Sequence, residues 1–310
     1  MRLLKPKFWH KKNSLLSILM LPISYFIQFL AFIKNIFVVK NVFNIPIICV
    51  GNIYLGGTGK TPLCIEIFKI LSKLKKYPAI IKKDYTDQKD EVNLLKRNKC
   101  EIFLNKKRKF AITNAINSGH KTLILDDGFQ DFSIKKDLNI LCFNSDQLDG
   151  NGYTIPSGPL REPLKSIKNC KILFINGKKN FDFENKVKKI SPDIKIFYSK
   201  YIPTNLDNIR KKNLFAFAGI GNPENFLKTL NENNLKVFKK IYFPDHYNYK
   251  KIEIEKLIKI SNDENLKLIT TEKDYYRIEH MGFESIDYLK INLEIDNREK
   301  FIEEIIKLYD

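Results

Sequence analysis

Histidine and cysteine are both scarce, with four of the first and five of the second in 310 residues. The cysteines, at 49, 64, 100, 142 and 170, stand far apart with no C-x-x-C pair, and several lie in apolar runs. That spacing argues against a zinc site or a disulfide scaffold and points to a reducing compartment. Free cysteine in such runs behaves as a small hydrophobe. No small-residue cleavage site follows the apolar stretch near the N-terminus, which argues against a signal peptide. Internal repeats are absent. Acidic residues are also few, 35 Asp+Glu against 54 Lys+Arg, leaving a formal charge of +19. A surface of that sign attracts nucleic acid, anionic lipid or a phosphorylated substrate. The lysines are spread along the chain, however, in a background rich in Lys, Asn and Ile of the kind an AT-rich genome produces. Charge alone selects none of the three.

At 44% apolar content the chain can bury the core of one large α/β unit or of two domains. Residues 14–33 carry no charge and follow a basic leader with Arg2, Lys5, Lys7, Lys11 and Lys12. A stretch of this length would just span a bilayer, although Pro22, Gln28 and its serines weaken that reading. A membrane-embedded or interfacial helix and a buried core helix are the alternatives. Basic flanks favour anionic headgroups on the cytoplasmic side.

The most informative segment runs from Cys49 to Pro62. An apolar strand (45–51) leads into a glycine-rich turn, and a helix follows whose first turn holds Lys60, Thr61 and Pro62. Gly56, Gly57 and Gly59 let backbone amides wrap an anion, with Thr58 between them. The helix start adds unpaired N–H groups and a positive dipole end. Lys60 reaches outer phosphates and Thr61 can hold Mg²⁺. The strict pattern requires glycine at position 54, where this chain has Tyr54. What remains, GGTGKT, resembles the deviant phosphate loops of the P-loop class.

Alternating apolar runs continue the pattern: 78–83, 121–128, 137–144, 170–177 and 195–201 read as strands, with helices between them. A polar linker around 202–212 precedes further strands at 213–219, 237–243 and 267–271, with helices to about 232, around 252–261 and at 297–309. Two α/β units with ligands at the carboxyl ends of mostly parallel strands are expected. Asp126 and Asp127 end one apolar run, where an acid beside the phosphate loop can coordinate Mg²⁺. Asp90 and Glu91 lie in a polar stretch after a strand; a carboxylate there can accept a proton if burial or a histidine supports it. His246 stands just past a strand, as a structural turn residue or a catalytic one. Arg161, beside Glu162 in a proline-framed loop, can meet a phosphate or pair with its neighbour. The cluster 270–274 reads as a hinge or a site.

Together GNIYLGGTGKTP (51–62), KDE (89–91), LDDGFQ (125–130), SGPLREP (157–163), FAGIGNPE (217–224), PDHY (244–247) and TTEKD (270–274) resemble the tetraacyldisaccharide 4′-kinase family, in order and over nearly the whole chain. The resemblance implies an ATP- and Mg²⁺-dependent kinase acting on the 4′-hydroxyl of a tetraacylated glucosamine disaccharide 1-phosphate. It places the enzyme at the cytoplasmic face of the bacterial inner membrane, with no nucleic acid partner. It also implies a basic leader and membrane-associating helix over 1–40, a P-loop core over 41–205 and a smaller α/β domain over 206–310. Asp90 matches the catalytic acid and His246 the histidine assisting it. Lys60 and Thr61 match phosphate and metal ligands, Asp126 and Asp127 the acidic pair. Glu91, Arg108, Arg161 and Glu162 match substrate-side residues. Departures cluster at 82–92: the family's Ser-Arg-Gly-Tyr-Gly run appears as Lys82-Lys83-Asp84-Tyr85-Thr86, Lys89 and Val92 replace a glycine and a proline, and Asp131 stands for a histidine. A phosphate-loop ATPase switching a partner or nucleic acid is the rival reading; it leaves residues 14–33, Asp90 and His246 without a purpose.

Overall fold

The computed structural model describes residues 6–85, 89–210 and 212–310, with the side chain of residue 89 also outside the description. Arg2 and Lys5 of the leader, and Thr86, therefore lie outside the described residues. The chain divides into two compact units. Among the described residues the larger holds 6–84, 100–200 and 295–310, and the smaller holds 85 with 89–99 and most of 201–294. The sequential division at 205 is replaced by an interleaved one. Residues around 90 pack with the later segment because helix α4 (Lys89–Arg97) lies against α9 (Glu272–Ile278), and the final helix returns to the larger unit.

The larger unit contains α1 (Leu15–Leu19), α2 (Leu21–Ile36), β1 (Ile47–Gly51), α3 (Lys60–Lys73), β2 (Pro78–Lys83), β3 (Ile102–Asn105), α5 (Arg108–Asn117), β4 (Thr122–Asp126), β5 (Leu138–Asn144), β6 (Ile172–Asn176), α6 (Phe181–Ile190), β7 (Lys195–Pro203) and α10 (Arg298–Ile306). Its strands follow the order β7-β6-β5-β1-β4-β2-β3. The eight-stranded order ends in β12 (Ile291–Ile295). From β3 to β7 the pairings are parallel. β1, β4 and β6 are buried along their whole length, as expected of parallel strands covered by helices on both faces. The chain winds to one side of β1 through β2, β3 and β4 and to the other through β5, β6 and β7. The carboxyl end of β1 is thus a topological switch point, where such sheets bind ligands.

The smaller unit carries a four-stranded parallel sheet, β11-β10-β8-β9, built from β8 (Leu214–Ala218), β9 (Val237–Tyr242), β10 (Lys267–Thr271) and β11 (Asp287–Leu289). Helices α7 (Pro223–Glu232), α8 (Lys251–Asp263) and α9 complete it with α4.

The N-terminal stretch forms α1 and α2, with Pro22 in the first turn of α2 where it costs no hydrogen bond. No helix among the described residues is long and apolar enough to cross a membrane. The two helices are turned inside out: Ser17 of α1 and Ser24 and Gln28 of α2 face the protein. Ser24 Oγ donates to Ser157 Oγ at 2.8 Å, Gln28 donates to Thr154 Oγ1 at 2.8 Å, and Ser17 Oγ accepts from Asn151. Ser24 is 1% exposed while Phe26 and Phe32 are 61% and 63% exposed.

Candidate active site

In the larger unit the site grows from the end of β1. Gly56 and Gly59 take φ of +128° and +90°, a region that strains side-chain-bearing residues, and Gly59 opens α3 directly. Asn52 fills the loop from within, its amide donating to Tyr54 O, Gly56 O and Thr58 Oγ1. The loop is thus held open by a side chain that the sequence motif does not advertise.

The register places Val50 beside Asp126 on β4, and β2 pairs with the other side of β4 through Ile81 and Leu125. One step further, Lys82 donates to Asp126 Oδ2 at 2.8 Å, with both side chains buried. Asp127 takes a left-handed backbone, φ +55°, and receives Arg161 Nη1 at 3.2 Å and Lys60 Nζ at 3.6 Å. Burial would push the Asp127 carboxyl up, but Lys60 and Arg161 outweigh it and hold the group down at about 2. Gln130 donates to Asn52 O and to Glu162 Oε1, tying LDDGFQ and GPLREP to the phosphate loop. Arg161 N–H also donates to Ile53 O.

Arg108 lies against the acidic turn at the end of β4. It is buried, and its guanidinium donates to Asp126 O, Asp127 O and Asp131 Oδ2. It braces the acidic turn from inside. Asp131 supplies the carboxylate that pins it.

Oxygen donors for a divalent cation are present. Asp126 Oδ1 is buried without a hydrogen-bond partner, and a hard cation satisfies such an oxygen. Thr61, also buried, lies in the first turn of α3. No group of three or more His, Cys, Asp or Glu forms a metal cluster among the described residues. The donors therefore fit Mg²⁺ held by one or two carboxylates and phosphates, not a protein cage.

The smaller unit assembles a second cluster. Asp90 Oδ1 stands 3.2 Å from His246 Nδ1, and Asp90 Oδ2 accepts from Arg277 Nη2 at 2.7 Å. Burial raises the Asp90 carboxyl, yet the His246 hydrogen bond and the charges of Lys273 and Arg277 bring it down to about 2. Glu91 accepts from Lys273 at 2.8 Å, and that carboxylate with Asp90 keeps the Lys273 ammonium above its ordinary range against desolvation.

The segment 270–274 is a helix start. Thr271 caps α9 by accepting from Asp274 N–H. Asp274 is a buried hub that accepts from Gly219 N, Thr271 Oγ1, Tyr249 OH and Arg277 Nη1. Burial raises its carboxyl above the ordinary range. Sequence reading missed Arg277, although Thr-x-x-Asp signals a helix start and puts a residue three further on beside Asp274. Lys82 was visible only as a departure.

A model of the family described as tetraacyldisaccharide-1-P 4′-kinase matches residues 16–310. The tetraacyldisaccharide 4′-kinase of Pelagibacter ubique is 43% identical over 315 residues, 99% of both chains. That of Rickettsia canadensis is 34% identical, covering 99% of this chain and 98% of its own. The crystal structure of LpxK from Aquifex aeolicus in complex with ATP superposes with a TM-score of 0.73 at 23% identity, over 96% of this chain and all of that one. That likeness extends the fold seen here to a solved protein. The chain belongs to the tetraacyldisaccharide-1-P 4′-kinase family.

Proposed function

We propose that this protein transfers the γ-phosphoryl group of ATP to the 4′-hydroxyl of a tetraacylated glucosamine disaccharide 1-phosphate, a step of lipid A biosynthesis. The observation that carries this reading is the glycine-bent loop opening α3 with Lys60 and Thr61, in a chain aligned end to end with proteins of that name. Such transfer depends almost wholly on positioning and electrostatic stabilisation. The amides of 56–61 and Lys60 hold the phosphates. Arg161 and Lys60, gathered on Asp127, stand ready to exchange that carboxylate for phosphate oxygens. Thr61, Asp126 and Asp127 would hold Mg²⁺. When bound, that ion neutralises charge developing on the β and γ oxygens.

As the hydroxyl oxygen bonds to phosphorus and the β–γ bridge breaks, the hydroxyl proton passes to the Asp90–His246 pair. Glu91 and Glu162 with Arg161 serve the acceptor side. The apolar outer face of α1 and α2 seats the protein on the anionic cytoplasmic face of the inner membrane, keeping it beside an acylated substrate. Membership of the family does not favour the ATPase-switch alternative.

An assay with labelled ATP and tetraacyldisaccharide 1-phosphate tests this. Label is expected on the distal sugar, with Lys60→Ala and Asp90→Ala each lowering kcat by roughly a hundredfold or more. ATP turnover indifferent to the disaccharide would exclude the proposed reaction.

A further inference from the structure

We propose that Lys82 is a fixed internal cation that competes with Mg²⁺ for Asp126, so that the metal is held only when it arrives with the phosphates of the nucleotide. The nucleotide rests on the kinase reading above; the competition at Asp126 does not.

The two acids at the end of β4 are opposed in different ways. Asp127 is 26% exposed and its cations stand off, Lys60 Nζ at 3.6 Å and Arg161 Nη1 at 3.2 Å. Both cations are themselves partly exposed, so incoming phosphate oxygens can take them over. Asp126 allows no such exchange. Its Oδ2 accepts from Lys82 Nζ at 2.8 Å, and the lysine side chain is only 3% exposed. The backbone gives Lys82 no room to withdraw. It sits within β2, between β4 and β3, opposite Leu104 and one residue after Ile81 pairs with Leu125. Pulling the ammonium away would strand two buried charges. Lys82 therefore stays on Oδ2, and Asp126 has Oδ1 to offer a metal, the oxygen that lacks a hydrogen-bond partner.

Charge decides what that one oxygen is worth. Among the described residues, Lys82, Lys60 and Arg161 pair with the two acids, three positive charges against two negative. The field of Lys82 reaches Asp127 as well, after those of Lys60 and Arg161. Further out, Arg108 and Lys136 are balanced by Asp131 and Glu162. A divalent cation by itself meets an excess of positive charge, which attracts a polyphosphate instead. Two cations sharing one carboxylate lie within about 6 Å of each other, where even water-like screening leaves their repulsion worth about tenfold in affinity. Burial increases that figure. Phosphate oxygens reverse the balance, because they draw Lys60 and Arg161 off Asp127 and bring negative charge of their own.

Titration of the full chain with Mn²⁺, read by water-proton relaxation, tests this, since relaxation is enhanced when the ion is immobilised on protein. The titration is run at about pH 8, above the range where carboxylates hold protons. Wild-type protein is expected to bind Mn²⁺ alone no tighter than about 1 mM, the weak end of oxygen-donor sites, and to show strong enhancement once a non-hydrolysable ATP analogue is added. Lys82→Met should bind Mn²⁺ alone at least about tenfold tighter, whereas Lys82→Arg should behave as wild type. Adding Asp126→Asn to Lys82→Met should abolish the gain, which places it at Asp126. Should Lys82→Met not fold, Lys82→Gln keeps a donor for Asp126, removes the charge and carries the same expectation. Tight binding of Mn²⁺ alone to wild-type protein would overturn the inference, as would equal affinities with and without the lysine charge. An analogue that brought no Mn²⁺ onto wild-type protein would sink the nucleotide half together with the kinase reading, while the comparison in Mn²⁺ alone would still decide whether Lys82 excludes metal.

Discussion

At the scale of single residues, Lys82 shows how a substitution outside a motif changes the chemistry inside it. Removing its ammonium takes from buried Asp126 the ion-pair partner of Oδ2, while Oδ1 already lacks a hydrogen-bond partner. Lys82→Met is therefore expected to lower stability by about 3–5 kcal/mol, the usual cost of orphaning a buried ion. Adding Asp126→Asn should recover a good part of that loss, since an amide tolerates burial better than a carboxylate. Denaturant unfolding of the two variants checks this, and equal destabilisation would mean that the pair is not what holds them. The glycine turn that opens α3 at Lys60 and Thr61 was legible because its spacing is a local pattern that follows from backbone geometry. Asp126 and Asp127 were legible because acids ending an apolar run can lie only at a strand's carboxyl end. Lys82, Asn52 and Arg277 were not, since each acquires its role from a partner distant in sequence: Asp126, the inside of a loop, and Asp90. The inward bonds of Arg108 were hidden for the same reason, because nothing local says that its guanidinium turns onto the Asp126 and Asp127 carbonyls.

Elements tell a similar story. Strands of the larger sheet announce themselves as unbroken apolar runs, and β2 and β10 occupy 78–83 and 267–271 as expected. β3 escaped notice because an edge strand is only partly buried, without the fully apolar signature. Helix α4 hid in a charged stretch, its apolar face being Leu94 and Leu95 alone in the fully buried set. Helix α2 reverses the usual rule, for its serine and glutamine pack against Thr154 and Ser157 and its aromatics face outward. A water-soluble surface has no use for such a face, and a large exposed apolar patch marks an interaction site. Replacing Phe26, Phe29 and Phe32 with serine should leave the inward hydrogen bonds intact and weaken binding to uncharged vesicles by more than about tenfold, since each buried phenyl is worth roughly 1.5–3 kcal/mol. Cosedimentation with zwitterionic vesicles measures this; unchanged binding would remove α2 as the anchor.

For the whole molecule, the interleaving of the two units was not legible, because segment 89–99 joins the later half through contacts no local pattern encodes. Net charge was legible from the start, but its meaning was not. A charge of +19 on a chain with an apolar helix face predicts two separable contributions to membrane binding. Each lysine near an anionic surface is worth about 1 kcal/mol, falling off within a Debye length of roughly 10 Å at 0.1 M salt and 3 Å at 1 M. The apolar contribution is not screened at all, and exclusion of salt from apolar surface even strengthens it slightly. Binding to anionic vesicles should therefore fall at least about tenfold between 0.1 M and 1 M salt, then level at the affinity shown by uncharged vesicles. The triple serine variant should bind anionic vesicles at low salt and wash off completely at high salt. If wild-type protein also washed off completely, lysines alone would hold it, and the exposed face of α2 would need another partner. If salt had no effect, the basic surface would be incidental to the membrane and its excess of lysine a matter of composition.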